Sequence, residues 1–294
     1  RFVFGIGLSR PILHGMLAHN CTCINLWHGF GPRSTNGAHN YPKKKILYKI
    51  KEWDYFASPT EFIKKKVWIN QFNIDEKKII NFKITPSSKW YSTDINFYKK
   101  IKNLKKNYKL LMYAPTWRQN YKRNFPLFEY LFKDVNYLDN YLSKNKIKLI
   151  ISSHKKYESF FQNDTFRNVK NIIKVPVDER IDINYVLKNI DYLITDYSSI
   201  ATDALILKKP VYYFLNDYDY YRKNIGFLED FKRHLPGIEM KNTNDFYKYF
   251  LIKNKTLNKN SKKIQMNIKN YLAKYSGNNA IELRDLLKIL YDRT

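Results

Sequence analysis

This chain predicts an α/β fold in two parts with mostly parallel sheets, on three observations. Short apolar runs of strand length alternate with longer helical patterns along all 294 residues, the trace that strand, crossover helix and strand units leave in a sequence. Several of these runs stop at histidine, glycine or hydroxyl residues where a loop or a helical pattern begins, as strand ends do in doubly wound sheets. At 294 residues and 44% hydrophobic, the chain exceeds one average core and suffices for two compact domains.

Taken in order, strands are expected at Arg1–Gly5, Cys23–Leu26, Tyr55–Ala57, Lys109–Tyr113, Lys148–Ile151, Tyr192–Thr195 and Val211–Phe214. Helices are expected at Arg10–Ala18, Glu61–Trp68, Pro126–Asn145, Asn184–Lys188, Ile200–Leu207, Thr243–Lys253 and Asn278–Tyr291. The Lys/Asn-rich amphipathic stretch Asp94–Asn107 precedes a fresh series of strands and helices. It sets a boundary between an N-terminal domain over 1–107 and a C-terminal domain over 108–294. The lysine-rich tract from Leu257 to Lys269 reads as a surface helix or a connector, and the last helix is free to pack back on the first domain. Because Arg1 is followed at once by the strand-like Phe2-Val3-Phe4, the chain is expected to begin inside a domain.

Composition narrows the classes of function. No apolar run approaches the roughly 20 residues of a membrane-spanning helix, and no charged-then-apolar leader opens the chain. The expectation is a soluble or peripheral protein. Cys21 and Cys23 are the only cysteines, too few for a disulfide framework or a zinc site, which suits a reducing cytoplasm. A formal charge of +27 implies attraction to polyanions: nucleic acid, anionic lipid or a phosphate-rich substrate. Lysine used as a generic surface residue in an Asn-, Ile- and Tyr-rich chain explains the same charge. Against nucleic acid stands the absence of any recognisable nucleic-acid motif or basic arm.

The chemistry gathers at strand ends. Tyr192-Leu193-Ile194-Thr195 runs into Asp196-Tyr197-Ser198-Ser199 and then a helix, a geometry that offers hydroxyls, orphan N–H groups and a helix dipole to an anion. A serine there is most often only an N-cap. Trp27-His28-Gly29 ends an earlier strand; histidine is suited to take a proton from a hydroxyl, and glycine lets a substrate approach closely. A hydrogen-bonded turn histidine is the plainer alternative. Thr116-Trp117-Arg118 follows a third strand, and a guanidinium fork suits a diphosphate. His154 and Lys155 follow a fourth, where they can stabilise charge on a leaving phosphate. Any of these ends can be a solvated loop; the recurrence in one α/β chain argues for a site.

Those segments resemble the CDP-glycerol glycerophosphotransferases that build teichoic acids and related capsule polymers. The resemblance rests on Leu26-Trp27-His28-Gly29, Trp53-Asp54-Tyr55 with Ser58-Pro59, Tyr113–Arg118 and above all Leu193–Ser199, and continues through Lys209-Pro210, Asp217-Tyr218 and Leu235-Pro236-Gly237. It implies a GT-B architecture, two Rossmann-like domains facing across a cleft, and transfer without a metal or other cofactor. The donor implied is CDP-glycerol or a related CDP-polyol, and the acceptor a lipid-linked polymer at the anionic inner face of the membrane. Carried over by position, His28 is the base, Asp54 an acid important near it and His154 a second essential histidine. Arg118, Ser198 and Ser199 are phosphate-binding, with Thr195 and Asp196 in the same donor segment. Arg33 stands where the family has a lysine after its Trp-His-Gly. A glycosyltransferase of the same architecture, using a nucleotide sugar, would present a similar cradle.

Overall fold

The computed structural model describes residues 2–5, 21–27, 29–34, 50, 52–82, 95–116, 118, 132–152, 166, 168–176, 181–250, 261–277 and 288. The helix expected at Arg10–Ala18 lies outside them, as does all but Lys288 of that expected at Asn278–Tyr291. In chain order the elements are β1 (Phe2–Gly5), β2 (Thr22–Asn25), β3 (Tyr55–Ser58), α1 (Glu61–Ile63), β4 (Ile79–Asn81), α2 (Ile95–Asn107), β5 (Lys109–Tyr113), α3 (Val135–Lys144) and β6 (Ile147–Ile151). They continue as β7 (Ile172–Lys174), α4 (Ile183–Asn189), β8 (Tyr192–Thr195), α5 (Ile200–Ile206), β9 (Val211–Phe214), α6 (Tyr218–Asn224), β10 (Ile238–Met240), α7 (Thr243–Tyr249) and α8 (Lys262–Tyr275).

The chain divides into two compact units: Arg1–Ser88 with Asp219–Arg233 and Lys269–Thr294, and Lys89–Tyr218 with His234–Ile268. The sequence suggests contiguous blocks divided at 107/108, but α2 belongs with the second unit. The reason is packing. Phe97, Tyr98 and Ile101 form a buried stripe on α2 at helical spacing. The Tyr98 hydroxyl accepts from Asp182 N at 2.6 Å, and its ring lies 4.1 Å from that of Tyr185.

In the first unit β1, β2, β3 and β4 form a parallel sheet in that order. Ile24, Ala57, Ile80 and Phe82 cluster on it. Thr60 caps α1, its Oγ1 accepting from Ile63 N at 3.1 Å, and the helix passes into a π-helical stretch, Lys64–Ile69. That stretch turns Trp68 inward, where its Nε1 donates to Ala57 O at 3.0 Å.

The second unit holds a six-stranded parallel sheet in the order β10-β9-β8-β5-β6-β7. Its central strands are buried on both faces, as sheets covered by crossover helices are. Leu111, Tyr113, Leu149, Ile194, Tyr212 and Phe214 pack with Leu138 and Leu142 of α3 and Phe246 of α7. Gly237 admits the edge strand β10: a Cβ there would lie 2.3 Å from Val211 O. The chain runs outward from β5 through β6 to β7, then returns to the other side of β5 as β8. The point between β5 and β8 is therefore the topological switch, where ligands of open α/β sheets bind beyond the carboxyl ends of the strands.

Candidate functional site

The segments that follow β5 and β8 meet at this switch. Asp196, directly after β8, accepts from Thr116 N at 2.8 Å and Thr116 Oγ1 at 2.6 Å, so one carboxylate closes the end of β5 against the end of β8. Thr195 Oγ1 donates to Ala114 O at 2.6 Å, tying the same two strands one residue earlier. Arg118 lies behind them with only 7% of its surface exposed. Its Nη2 is 2.8 Å from Asp196 Oδ2, its Nε donates to Asp217 Oδ2 at 3.0 Å, and its Nη1 donates to Thr116 O at 2.7 Å. Asp217 follows β9, so the guanidinium links three strand ends.

Tyr197 is held by the same groups. Its N donates to Asp196 Oδ1 at 2.6 Å and its hydroxyl to Asp217 Oδ1 at 3.0 Å, while the Arg118 guanidinium carbon sits 5.3 Å from its ring centre. Burial, with Asp217 and Asp196 alongside, pushes the phenol far above its ordinary range, which keeps it a hydrogen-bond donor. Ser198 and Ser199 follow at once, partly exposed. Ser199 occupies the N-cap position of α5 without a side-chain cap hydrogen bond, and Ser198 Oγ is 3.5 Å from Ile200 N, long for a bond. Capping, the plain use of serine at a helix start, therefore leaves these hydroxyls largely available.

The expectations of donor binding thus separate by depth. Thr195, Asp196 and Arg118 are buried and committed to one another or to neighbouring strand ends, whereas Ser198 and Ser199 form the outer surface of the turn. The sequence suggests phosphate for the Arg118 fork; in the structure its donors point to Asp196, Asp217 and a carbonyl. Thr116, Tyr197 and Asp217 complete the cluster; the sequence sets them within the conspicuous segments but gives none of them a role of its own. The residue types at the three strand ends were the available signal.

In the first unit the end of β2 is shaped differently. Asn25, fully buried, accepts from Trp27 N at 2.8 Å through its side chain, an Asx turn that breaks the strand. Trp27 takes φ +58° and Gly29 φ +119°, so position 28 is flanked on both sides by left-handed backbone. Trp27 is held there by edge contacts with Trp68 at 5.3 Å and Phe72 at 5.6 Å. Strain of this kind costs about 1–3 kcal/mol and persists where packing over-determines it, often at functional sites. Arg33 forms an antiparallel bridge with Phe227, bordered by bonds from Leu228 N to Pro32 O and from Ser34 N to Gly226 O, each 2.9 Å.

Asp54 sits at the amino end of this sheet. Its Oδ2 accepts from Cys23 N at 2.7 Å and its N donates to Cys23 O at 3.0 Å, which pins the start of β3 to β2. Trp27 and Gly29 come after the carboxyl end of β2, so the structure does not place Asp54 beside them at that strand end. His28, His154 and Lys155 lie outside the described residues.

The family model described as CDP-Glycerol:Poly(glycerophosphate) glycerophosphotransferase matches residues 15–287. A teichoic acid poly(glycerol phosphate) polymerase of Bacillus spizizenii is 28% identical over 256 residues, covering 76% of this chain and 59% of its own length. A teichoic acid ribitol-phosphate polymerase of Staphylococcus aureus is 24% identical, covering 73% of this chain and 39% of its own length. The chain thus spans less than two thirds of the length of these curated relatives. The solved wall teichoic acid polymerase TagF superposes with a TM-score of 0.70 at 22% identity, covering 97% of this chain and 71% of that one. A variant of the same polymerase soaked with CDPG gives 0.69. These likenesses show the α/β fold.

Proposed function

The chain belongs to the CDP-glycerol:poly(glycerophosphate) glycerophosphotransferase family, and on that premise we propose that it transfers a polyol phosphate from a CDP-activated donor. The group moved is glycerol phosphate or another polyol phosphate such as ribitol phosphate. The acceptor is a hydroxyl of a cell-surface polymer or its lipid-linked precursor. The acceptor oxygen attacks the phosphorus bearing the polyol, a P–O bond forms, the bond to CMP breaks, and CMP leaves.

The observation that best supports this reading is the Ser198-Ser199 turn at the switch point of the six-stranded sheet, with hydroxyls that capping does not consume. These serines hold donor phosphate, with the Thr195, Asp196 and Arg118 cluster behind them. His154 and Lys155 neutralise charge that develops on the leaving CMP. His28 takes the acceptor proton. Asp54 fixes the strand that leads to it, and Gly29 and Arg33 border the acceptor. Positioning and electrostatics account for the catalysis, and the transfer needs no metal or other cofactor.

The working place is the inner face of the cell membrane. Among the described residues no helix is long and apolar enough to cross a membrane. The charge of +27 supports peripheral contact with anionic lipid, at about 1 kcal/mol per well-placed Lys or Arg. Lys65 and Lys66 are exposed, whereas Lys64 is paired with Glu76 at 2.6 Å. Sedimentation with anionic vesicles at low salt checks this, and binding no stronger than to neutral vesicles would refute it.

The reaction is tested by incubating the protein with CDP-glycerol, CDP-ribitol and UDP- or CMP-linked sugars and following nucleotide release. CMP from a CDP-polyol is expected, reduced at least about 100-fold in His28→Ala, the lower bound of general-base catalysis. Release from nucleotide sugars alone would make the protein a glycosyltransferase instead.

A further inference from the structure

The Arg118 cluster has a second carboxylate that donor binding does not use. Asp217 lies after β9, some 20 positions beyond Tyr197, is 8% exposed, and reaches both Arg118 and the Tyr197 hydroxyl. Tyr197 is therefore held at its N by Asp196 and at its far end by Asp217, with Arg118 bridging the two carboxylates. Ser198 and Ser199 are the next residues along the chain.

We propose that Asp217 is a positioning residue of the donor site, acting through Arg118 and Tyr197 to hold the Ser198-Ser199 turn in the shape that receives phosphate. The inference deepens the transferase reading and rests on it. The Nε, Nη1 and Nη2 atoms of Arg118 are engaged by Asp217, the Thr116 carbonyl and Asp196, so Arg118 serves as a tie between strand ends. The opposite hypothesis is that Asp217 merely parks a guanidinium whose task is to bind the donor. The two differ in sign. Loss of the Asp217 charge loosens the turn and weakens donor binding if Arg118 is a tie, but releases a cation and strengthens binding if Arg118 is a ligand.

The experiment compares the wild-type chain with Asp217→Asn and Tyr197→Phe, the latter removing one hydroxyl and keeping the ring. Amide hydrogen exchange across residues 195–203 is measured without ligand, CDP affinity by calorimetry, and KM and kcat with CDP-glycerol. Asp217→Asn is expected to speed exchange in that segment, weaken CDP about tenfold and raise donor KM with kcat changed less than about twofold; Tyr197→Phe is expected to weaken CDP about threefold. Unchanged exchange in both folded variants overturns the clamp, whatever the ligand. Faster exchange with equal or tighter CDP binding overturns its link to the donor. If Asp217→Asn fails to fold, Tyr197→Phe decides by the same readings. If exchange accelerates but the wild type does not bind CDP, the donor reading falls while the clamp stands.

Discussion

The ends of β8 and β2 solve one problem in two ways. Both must hold a short polar segment in a fixed, irregular shape beyond a parallel sheet. At β8 the shape is imposed by charge: Arg118, Asp196 and Asp217 join residues up to 99 positions apart, and each buried group meets a partner. At β2 it is imposed locally, by the Asn25 Asx turn and by aromatic packing that keeps Trp27 at φ +58°. A network of buried charges is robust while complete and fragile to the loss of one member. A local turn braced by apolar contact degrades more gradually.

The largest expected effect follows from that contrast. Arg118→Ala leaves Asp196 and Asp217 buried without their cation, and is expected to destabilise by about 3–5 kcal/mol in denaturant unfolding of the second unit. Asn25→Ala removes the acceptor for Trp27 N but leaves the aromatic contacts, and about 1–3 kcal/mol is expected. If Asn25→Ala proves the more damaging of the two, the distinction between the strand ends is wrong. Gly29→Ala forces a Cβ onto φ +119°, and a loss of about 1–3 kcal/mol is expected from thermal unfolding. A neutral result would mean that the turn readjusts freely.

How far the sequence discloses these regions depends on the range of the interactions. Strands β5, β8 and β9 are legible to the residue because each is a largely apolar run ended by a turn or polar residue. The edge strands β4, β7 and β10 are not legible there; at three residues each, they are shorter than any periodic signal. The stretch Asp94–Asn107 reads as the domain boundary because its lysines outnumber the apolar stripe that buries it. At the site, a hydroxyl-rich strand end followed by a helix is a local pattern, and Ser198-Ser199 stands out from it. Arg118 reads as a fork for phosphate because a guanidinium declares itself in sequence, while the carboxylates that occupy it follow two other strands. Asp54 shows the same limit: its bond to Cys23 N crosses 31 positions and fixes a strand start.

A finer test uses a carboxyl near the end of β8 that lacks the arrangement of Asp196 and Asp217. Asp203 is four residues beyond Ser199, on the same face of α5. Burial, and then the neighbouring charge of Asp182, raise its pKa from 3.8 to about 7. An acid raised in the folded state retains its proton longer there than in the unfolded chain. Its contribution to stability is therefore full below about pH 4 and is lost as pH rises through about 7. Wild-type stability is expected to carry a downward slope from this residue over that window, and Asp203→Asn, which cannot ionise, is expected to remove it. Unfolding midpoints measured from pH 4 to 7 in both proteins decide the matter. Parallel curves would mean that Asp203 finds a compensating partner and that α5 belongs, like the turn before it, to the satisfied network.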